Sequence, residues 1–145
     1  MQNIKIIQSQ DTYSVRQPVL RPGKPIESCV FIGDDDKTTV HFGIYCNDIL
    51  AGILSIFKTS TSIFPEKEQY QMRGMAILPE HQKKGLGEKL LYKGEEYIKS
   101  KKAQVIWFNA RENAVQFYKK TGFEIINNSF NIPDIGIHYI MYKKF

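Results

Sequence analysis

Apolar and polar positions change period several times along the chain, and each change marks an element. In HFGIYCNDILAGILSIF, residues 41–57, two apolar segments flank Asn47 and Asp48, residue types that accept left-handed conformations, so a β-hairpin is predicted. YQMRGMAIL, residues 70–78, is a further strand that stops at Pro79, which cannot continue a sheet interior. From Leu86 the period lengthens: apolar residues at 86, 90, 91, 97 and 98 share one helix face, with Lys89, Lys93, Glu95, Glu96 and Lys99 largely off it. QVIWF, residues 104–108, is a short apolar run of the kind buried in a sheet. ENAVQFYKKTGF then carries Ala114, Val115, Phe117 and Tyr118 at helical spacing, and Gly122 stands where a helix stops. FEII and IHYIMY supply two more strands near the C-terminus, while RPGKP, residues 21–25, precludes regular structure. Strands and helices alternate after residue 70, which predicts a mixed α/β domain whose central sheet is covered by helices.

Between the strand ending at Leu78 and the helix opening at Leu86 stands Gln82-Lys83-Lys84-Gly85-Leu86-Gly87. A strand that turns directly into a helix presents the first backbone N–H groups of that helix, unpaired, beside the positive end of its dipole. Gly85 and Gly87 remove Cβ atoms and permit positive φ, and Lys83 and Lys84 add charge at the rim. That chemistry suits a phosphate or pyrophosphate. A Walker loop is excluded because GxxxxGK[ST] does not occur, and a dinucleotide fingerprint because Leu90 stands where its third glycine would be.

Composition narrows the picture further. A chain of 145 residues with 42% hydrophobic content suits one domain, residues 1–145, with a real core. No signal-like or membrane-spanning apolar run occurs, so a cytoplasmic protein without a membrane partner is expected. Cys29 and Cys46 lie far apart without a metal-binding pattern, and read as small buried hydrophobes; no metal is expected. The net charge of +5 favours anionic partners, and a phosphorylated cofactor meets it as well as a nucleic acid does. An RNP-type sequence, zinc ligands and a dense basic stripe are all missing, which argues against nucleic acid as the partner.

The pattern IxPxxQxxGxG at residues 77–87, then an amphipathic helix, a strand and NARENAVQFYKKTGF, resembles the GNAT superfamily of N-acetyltransferases. The resemblance is tight over residues 70–126. The stretch VLRPGKPIESCVFIGDDDKTTVHFG is similar to a small bacterial branch of ElaA-like or YjcF-like proteins, in which an LRPG turn precedes an acidic segment and a strand. Pro18 departs from the pattern, because a first helix would continue there. The resemblance implies the GNAT fold: a mixed, mostly antiparallel central sheet flanked by helices, with two splayed parallel central strands. It implies acetyl-coenzyme A as co-substrate, with Gln82, Lys83, Lys84, Gly85, Leu86 and Gly87 around its pyrophosphate and Ile77 offering backbone groups to its pantetheine arm. Asn109, at the point where the parallel strands splay, Asn113 and Tyr118 complete the implied cofactor contacts, and Tyr118 is also the implied catalytic residue.

Acetyl transfer from a thioester to an amine needs a neutral amine, a stabilised oxyanion and a proton for the departing thiolate. With a phenol pKa of about 10 against about 8.5 for a thiol, Tyr118 is protonated at neutral pH and is the candidate donor to the sulfur. Backbone N–H groups of residues 75–77 are the candidates for the oxyanion. Glu27, His41, His81 and His138 are all conceivable bases, and none stands out; His81 is expected to meet solvent and His138 to face the cleft. The run Asp34-Asp35-Asp36 reads as a solvated turn, with attraction of a cationic amine as the functional alternative. Arg21 and Arg73 are candidates for a substrate carboxylate. The leading expectation is an N-acetyltransferase acting on a primary amine of a small molecule or protein, by direct attack on the thioester. The alternative is a non-catalytic module that holds acyl-coenzyme A. The acceptor pocket is expected in loops 20–38, 58–69 and 127–136, and Tyr139 and Tyr142 would suit a homodimer or, more simply, an edge-strand core.

Overall fold

The hairpin read from Asn47 and Asp48 forms because both residues take positive φ, 49° and 67°, the geometry that joins two strands of right-handed twist. The computed structural model describes residues 1–145. A first strand, β1 (Gln2–Ile7), pairs antiparallel with β2 (Val40–Cys46), which pairs antiparallel with β3 (Ile49–Phe57) across that turn. Next come β4 (Gln69–Ile77), the long helix α2 (Leu86–Ser100) and β5 (Val105–Arg111). A short helix, α3 (Val115–Lys120), and the antiparallel pair β6 (Glu124–Ile132) and β7 (Gly136–Lys144) complete the chain, and α1 (Tyr13–Leu20) lies between β1 and β2. The strand order is β1-β2-β3-β4-β5-β7-β6. β4 and β5 are parallel, and their register pairs only Gln69–Gln71 with Val105–Trp107, although β4 runs on to Ile77 and β5 to Arg111.

The chain divides into two compact units. The first comprises residues 1–58 and 72–97. In it Val15 of α1, Ile53 of β3 and Ala76 of β4 are buried together, with Ile7, Val19, Leu20, Leu50 and Leu78 packed on them. α2 approaches β3 closely at Gly94, where a Cβ would stand 2.8 Å from Leu54 Cδ2. The second unit comprises residues 59–71 and 98–145. Phe64, Val105 and Trp107 form its buried cluster, surrounded by Ile63, Ile126, Ile140 and Tyr142, and the Trp107 indole N–H donates to the Thr59 carbonyl at 3.0 Å.

Four readings from sequence change. Pro18 sits inside α1, which continues to Leu20; at its end the Arg21 N–H bonds the Arg16 and Gln17 carbonyls. Asp34 is not solvated: it is buried against the fully buried Arg16, and only Asp35 and Asp36 are exposed. Residues 127–136 are not an open loop but mostly the β6–β7 hairpin, whose register shifts between Ile126 and Phe130. Cys29 is buried as expected, whereas Cys46 is only half-buried.

Candidate functional site

The turn before α2 has the form its glycines promise. Gly85 has φ +79° and nothing within 4 Å of a Cβ position, so the space above it is open. Lys83 also adopts a left-handed φ, +63°, which costs a residue with a Cβ about 1–2 kcal/mol. Left-handed residues alternating with ordinary ones turn successive N–H groups toward one side, the nest arrangement that holds anions. At the start of α2 the Lys89 N–H donates to the Gly85 carbonyl at 3.3 Å, so the N–H groups of Leu86, Gly87 and Glu88 precede any intrahelical acceptor. Leu86 is buried and anchors this turn, while Lys83 and Lys84 are exposed. The Gln82 side chain folds back: its Nε2 donates to the Ile77 carbonyl at 3.0 Å and ties the turn to the end of β4. Ile77 and the 82–87 turn therefore come together in the first unit, with the Ile77 carbonyl already engaged.

Within β4, Gly74 has φ +67°, a left-handed conformation that only glycine adopts without strain. The apolar pattern of residues 70–78 hid this kink in the backbone. A Cβ at Gly74 would stand 2.9 Å from Phe31 Cε2 and 3.7 Å from Arg16 Nε. Arg16 is the anchor of this corner: Nη1 and Nη2 hold the Asp34 carboxylate at 2.7 and 3.0 Å, and they also donate to the Cys29 carbonyl and Ser55 Oγ. Asp34 in turn accepts from the Phe31 N–H at 2.9 Å. Nothing in the local sequence joins Arg16 to a carboxylate 18 positions away.

Asn109, Asn113 and Tyr118 all lie in the second unit. Asn109 is exposed on β5 opposite Ile140, and Asn113 is exposed in the 3₁₀ turn Glu112–Ala114. Tyr118 is held from both ends. Its ring packs on Phe108 at 4.4 Å and Phe117 at 5.1 Å between centroids. Its carbonyl accepts from the Phe123 N–H while Lys119 accepts from Gly122, whose φ is +99°: a Schellman ending that brings Phe123 onto Tyr118. Burial pushes the Tyr118 phenol up to about 12.

The conceivable bases separate. His41 is buried between Ser55 Oγ at 2.7 Å and the Asp34 carbonyl at 2.9 Å, both nitrogens engaged. His138 is buried, with Nδ1 2.9 Å from the Gly136 carbonyl and its ring against Phe130. Glu27 is exposed in a 3₁₀ turn. His81 does not simply meet solvent: its Nδ1 is buried without a partner in the residues just before the 82–87 turn.

A family comparison gives this geometry its context: the sequence model of the Acetyltransferase (GNAT) family matches residues 6–123. The chain belongs to that family. It is 33% identical to the uncharacterized N-acetyltransferase YitI of Bacillus subtilis, over 99% of this chain and 96% of YitI. Its fold is that of Escherichia coli ElaA (TM-score 0.77, 14% identity, 99% of this chain and 100% of ElaA). It is likewise that of a Bacillus subtilis acetyltransferase solved in complex with CoA (TM-score 0.70, 16% identity, 100% and 99% covered). As a member of that family the chain is an N-acetyltransferase. No helix of this GNAT protein is long and apolar enough to cross a membrane. The open space over Gly85 and the first-turn N–H groups of α2 fit a bound pyrophosphate.

Proposed function

We propose that this enzyme transfers an acetyl group from acetyl-coenzyme A to a primary amine of a small molecule or protein, by direct attack of the amine on the thioester, and that residues 1–145 work as one domain. The left-handed turn Lys83–Gly85 at the start of α2 carries the reading. The co-substrate supplies an activated acyl carbon and a stable thiolate. The N–H groups of residues 85–87, with Lys83 and Lys84, hold its pyrophosphate; Leu86 anchors the turn from below, and Gln82 keeps it registered to Ile77. Backbone N–H groups beyond the Gly74 kink, on Met75 to Ile77, stabilise the oxyanion, the left-handed φ of Gly74 setting the direction of the strand that carries them. Tyr118 acts as a hydrogen-bond donor to the departing sulfur. Raised to about 12, it stays protonated throughout the working pH range, and full transfer of its proton to a thiolate of pKa about 8.5 is uphill, so stabilising that charge is its contribution. Asn109 and Asn113, both exposed and free to bond, complete the cofactor contacts. A homodimer belongs to the same reading, supported by the exposed Ile135, Ile137 and Phe145 near β7, and sedimentation velocity checks it; a cytoplasmic location is part of the proposal as well.

The test is calorimetric titration with acetyl-coenzyme A of the parent and of Gly85→Glu. The added carboxylate fills the open space and repels the phosphates. Binding by the parent and loss of at least ten-fold in the variant are expected; equal binding by both would remove the turn from the site.

A further inference from the structure

Three guanidinium groups of the first unit converge on one aromatic ring. The Cζ atoms of Arg16, Arg73 and Arg21 lie 3.8, 4.8 and 5.6 Å from the centroid of Phe31. A single buried carboxylate, Asp34, answers them, and both its oxygens are committed to Arg16. Arg21 is half-buried and donates only to its neighbour's carbonyl, that of Leu20. Arg73, also half-buried and stacked on Phe57 as well at 5.2 Å, makes no hydrogen bond or ion pair with the protein. Its charge is disfavoured first by burial and then by Arg16, with Arg21 adding and Asp34 partly offsetting. A second observation points the same way: Arg16 Nε is buried and unpaired beside Gly74, so even the neutralised member of the group keeps a free donor.

A fold retains such an arrangement at a cost, since like charges and unpaired donors gathered away from water destabilise it. Stacking on an aromatic face fixes the plane of a guanidinium and leaves its edge free, and that edge matches a carboxylate with two parallel N–H bonds. Arg73 also immediately precedes the kink at Gly74, on the strand whose next residues carry the oxyanion donors of the proposed reaction.

We propose that Arg73 and Arg21 form an anion subsite for the acceptor, so that the amine acetylated by this enzyme carries a carboxylate. The inference rests on the transferase reading. It assigns Arg16 and Asp34 a positioning role: their ion pair, with the Asp34 bond to the Phe31 N–H, holds the ring on which both free arginines stack.

Calorimetry on coenzyme A-saturated protein, with matched pairs of an amino acid and its primary amide spanning apolar, acidic and basic side chains, tests this. At least one acid is expected to bind about ten- to a hundred-fold tighter than its amide, the worth of a charge-assisted pair. Arg73→Gln, which removes no bond within the protein, is expected to abolish the preference while leaving acetyl-coenzyme A affinity unchanged, and Arg21→Gln to weaken it. If no acid outbinds its amide, the inference is wrong. A loss of acetyl-coenzyme A affinity in Arg73→Gln would assign the cluster to the coenzyme's phosphates and overturn it equally. Turnover measured on the same pairs separates the two proposals: amines acetylated regardless of their carboxylate sink only the subsite, whereas acids that bind and are never acetylated sink the transferase reading.

Discussion

Replacing Gly74 and Gly85 by alanine separates two costs that most glycine substitutions confound. Both residues have left-handed φ, +67° and +79°. An alanine held there is strained by about 1–2 kcal/mol. Stiffening the unfolded chain returns about 0.4–1 kcal/mol, so conformation alone leaves a loss near 1 kcal/mol. For Gly85 that is the whole effect, because nothing lies within 4 Å of the new methyl. At Gly74 the methyl meets Phe31 Cε2 at 2.9 Å. That ring cannot retreat, since Arg16 covers it at 3.8 Å and is pinned by four hydrogen bonds. Overpacking of a fixed core adds about 1–3 kcal/mol. Gly74→Ala should therefore destabilise by about 2–4 kcal/mol and Gly85→Ala by about 1. Urea unfolding followed by circular dichroism, with m-values compared to verify that the end states match, measures both. If Gly74→Ala costs no more than Gly85→Ala, the ring is free to move and the account of this corner as a rigid stack fails.

Tyr118→Phe should lower kcat about 10²-fold with the dissociation constant of acetyl-coenzyme A little changed, read by steady-state assay and calorimetry. The same variant has a pH signature. The phenol is neutral in both folded and unfolded chains below pH 10, but between pH 10 and about 12 only the unfolded chain ionises it, so the parent loses up to about 2–3 kcal/mol relative to the variant in that window. A constant difference from pH 8 to 12 would refute the assigned burial. Asp34→Asn leaves the Arg16 charge uncompensated in a dry site and should cost about 3–5 kcal/mol by urea denaturation; a cost below about 1 kcal/mol would mean water reaches the pair.

Elements with a local cause were legible in the sequence. Asn47 and Asp48 dictate their hairpin by φ alone, Pro79 ends β4 at Ile77, and the apolar face beginning at Leu86 marks where α2 starts. Gly122 announced the end of α3, and its Schellman bonds are what fix Tyr118. What stayed hidden depends on partners remote in sequence. β1 is an edge of the sheet and largely exposed, so it shows no buried-strand pattern, and of β6, the other edge, only its opening residues FEII read as a strand. Asp34 looked like its solvated neighbours because only Arg16, on another element, distinguishes it from them. The kink at Gly74 carries no signal in an otherwise apolar run, and the convergence of three arginines on Phe31 exists only once α1, β4 and the segment between α1 and β2 have folded together.

The chain's single tryptophan, Trp107, sits 8% exposed among Phe64, Val105 and their neighbours, with its indole N–H bonded to Thr59. All of these residues belong to the second unit, whereas Gly74, Asp34 and the arginine cluster belong to the first. Tryptophan emission is therefore a local optical probe, blind to loosening around Phe31 unless that loosening spreads. Circular dichroism, by contrast, averages over every strand and helix. For variants of the arginine corner, emission thus reports on the second unit alone, and circular dichroism on the whole chain.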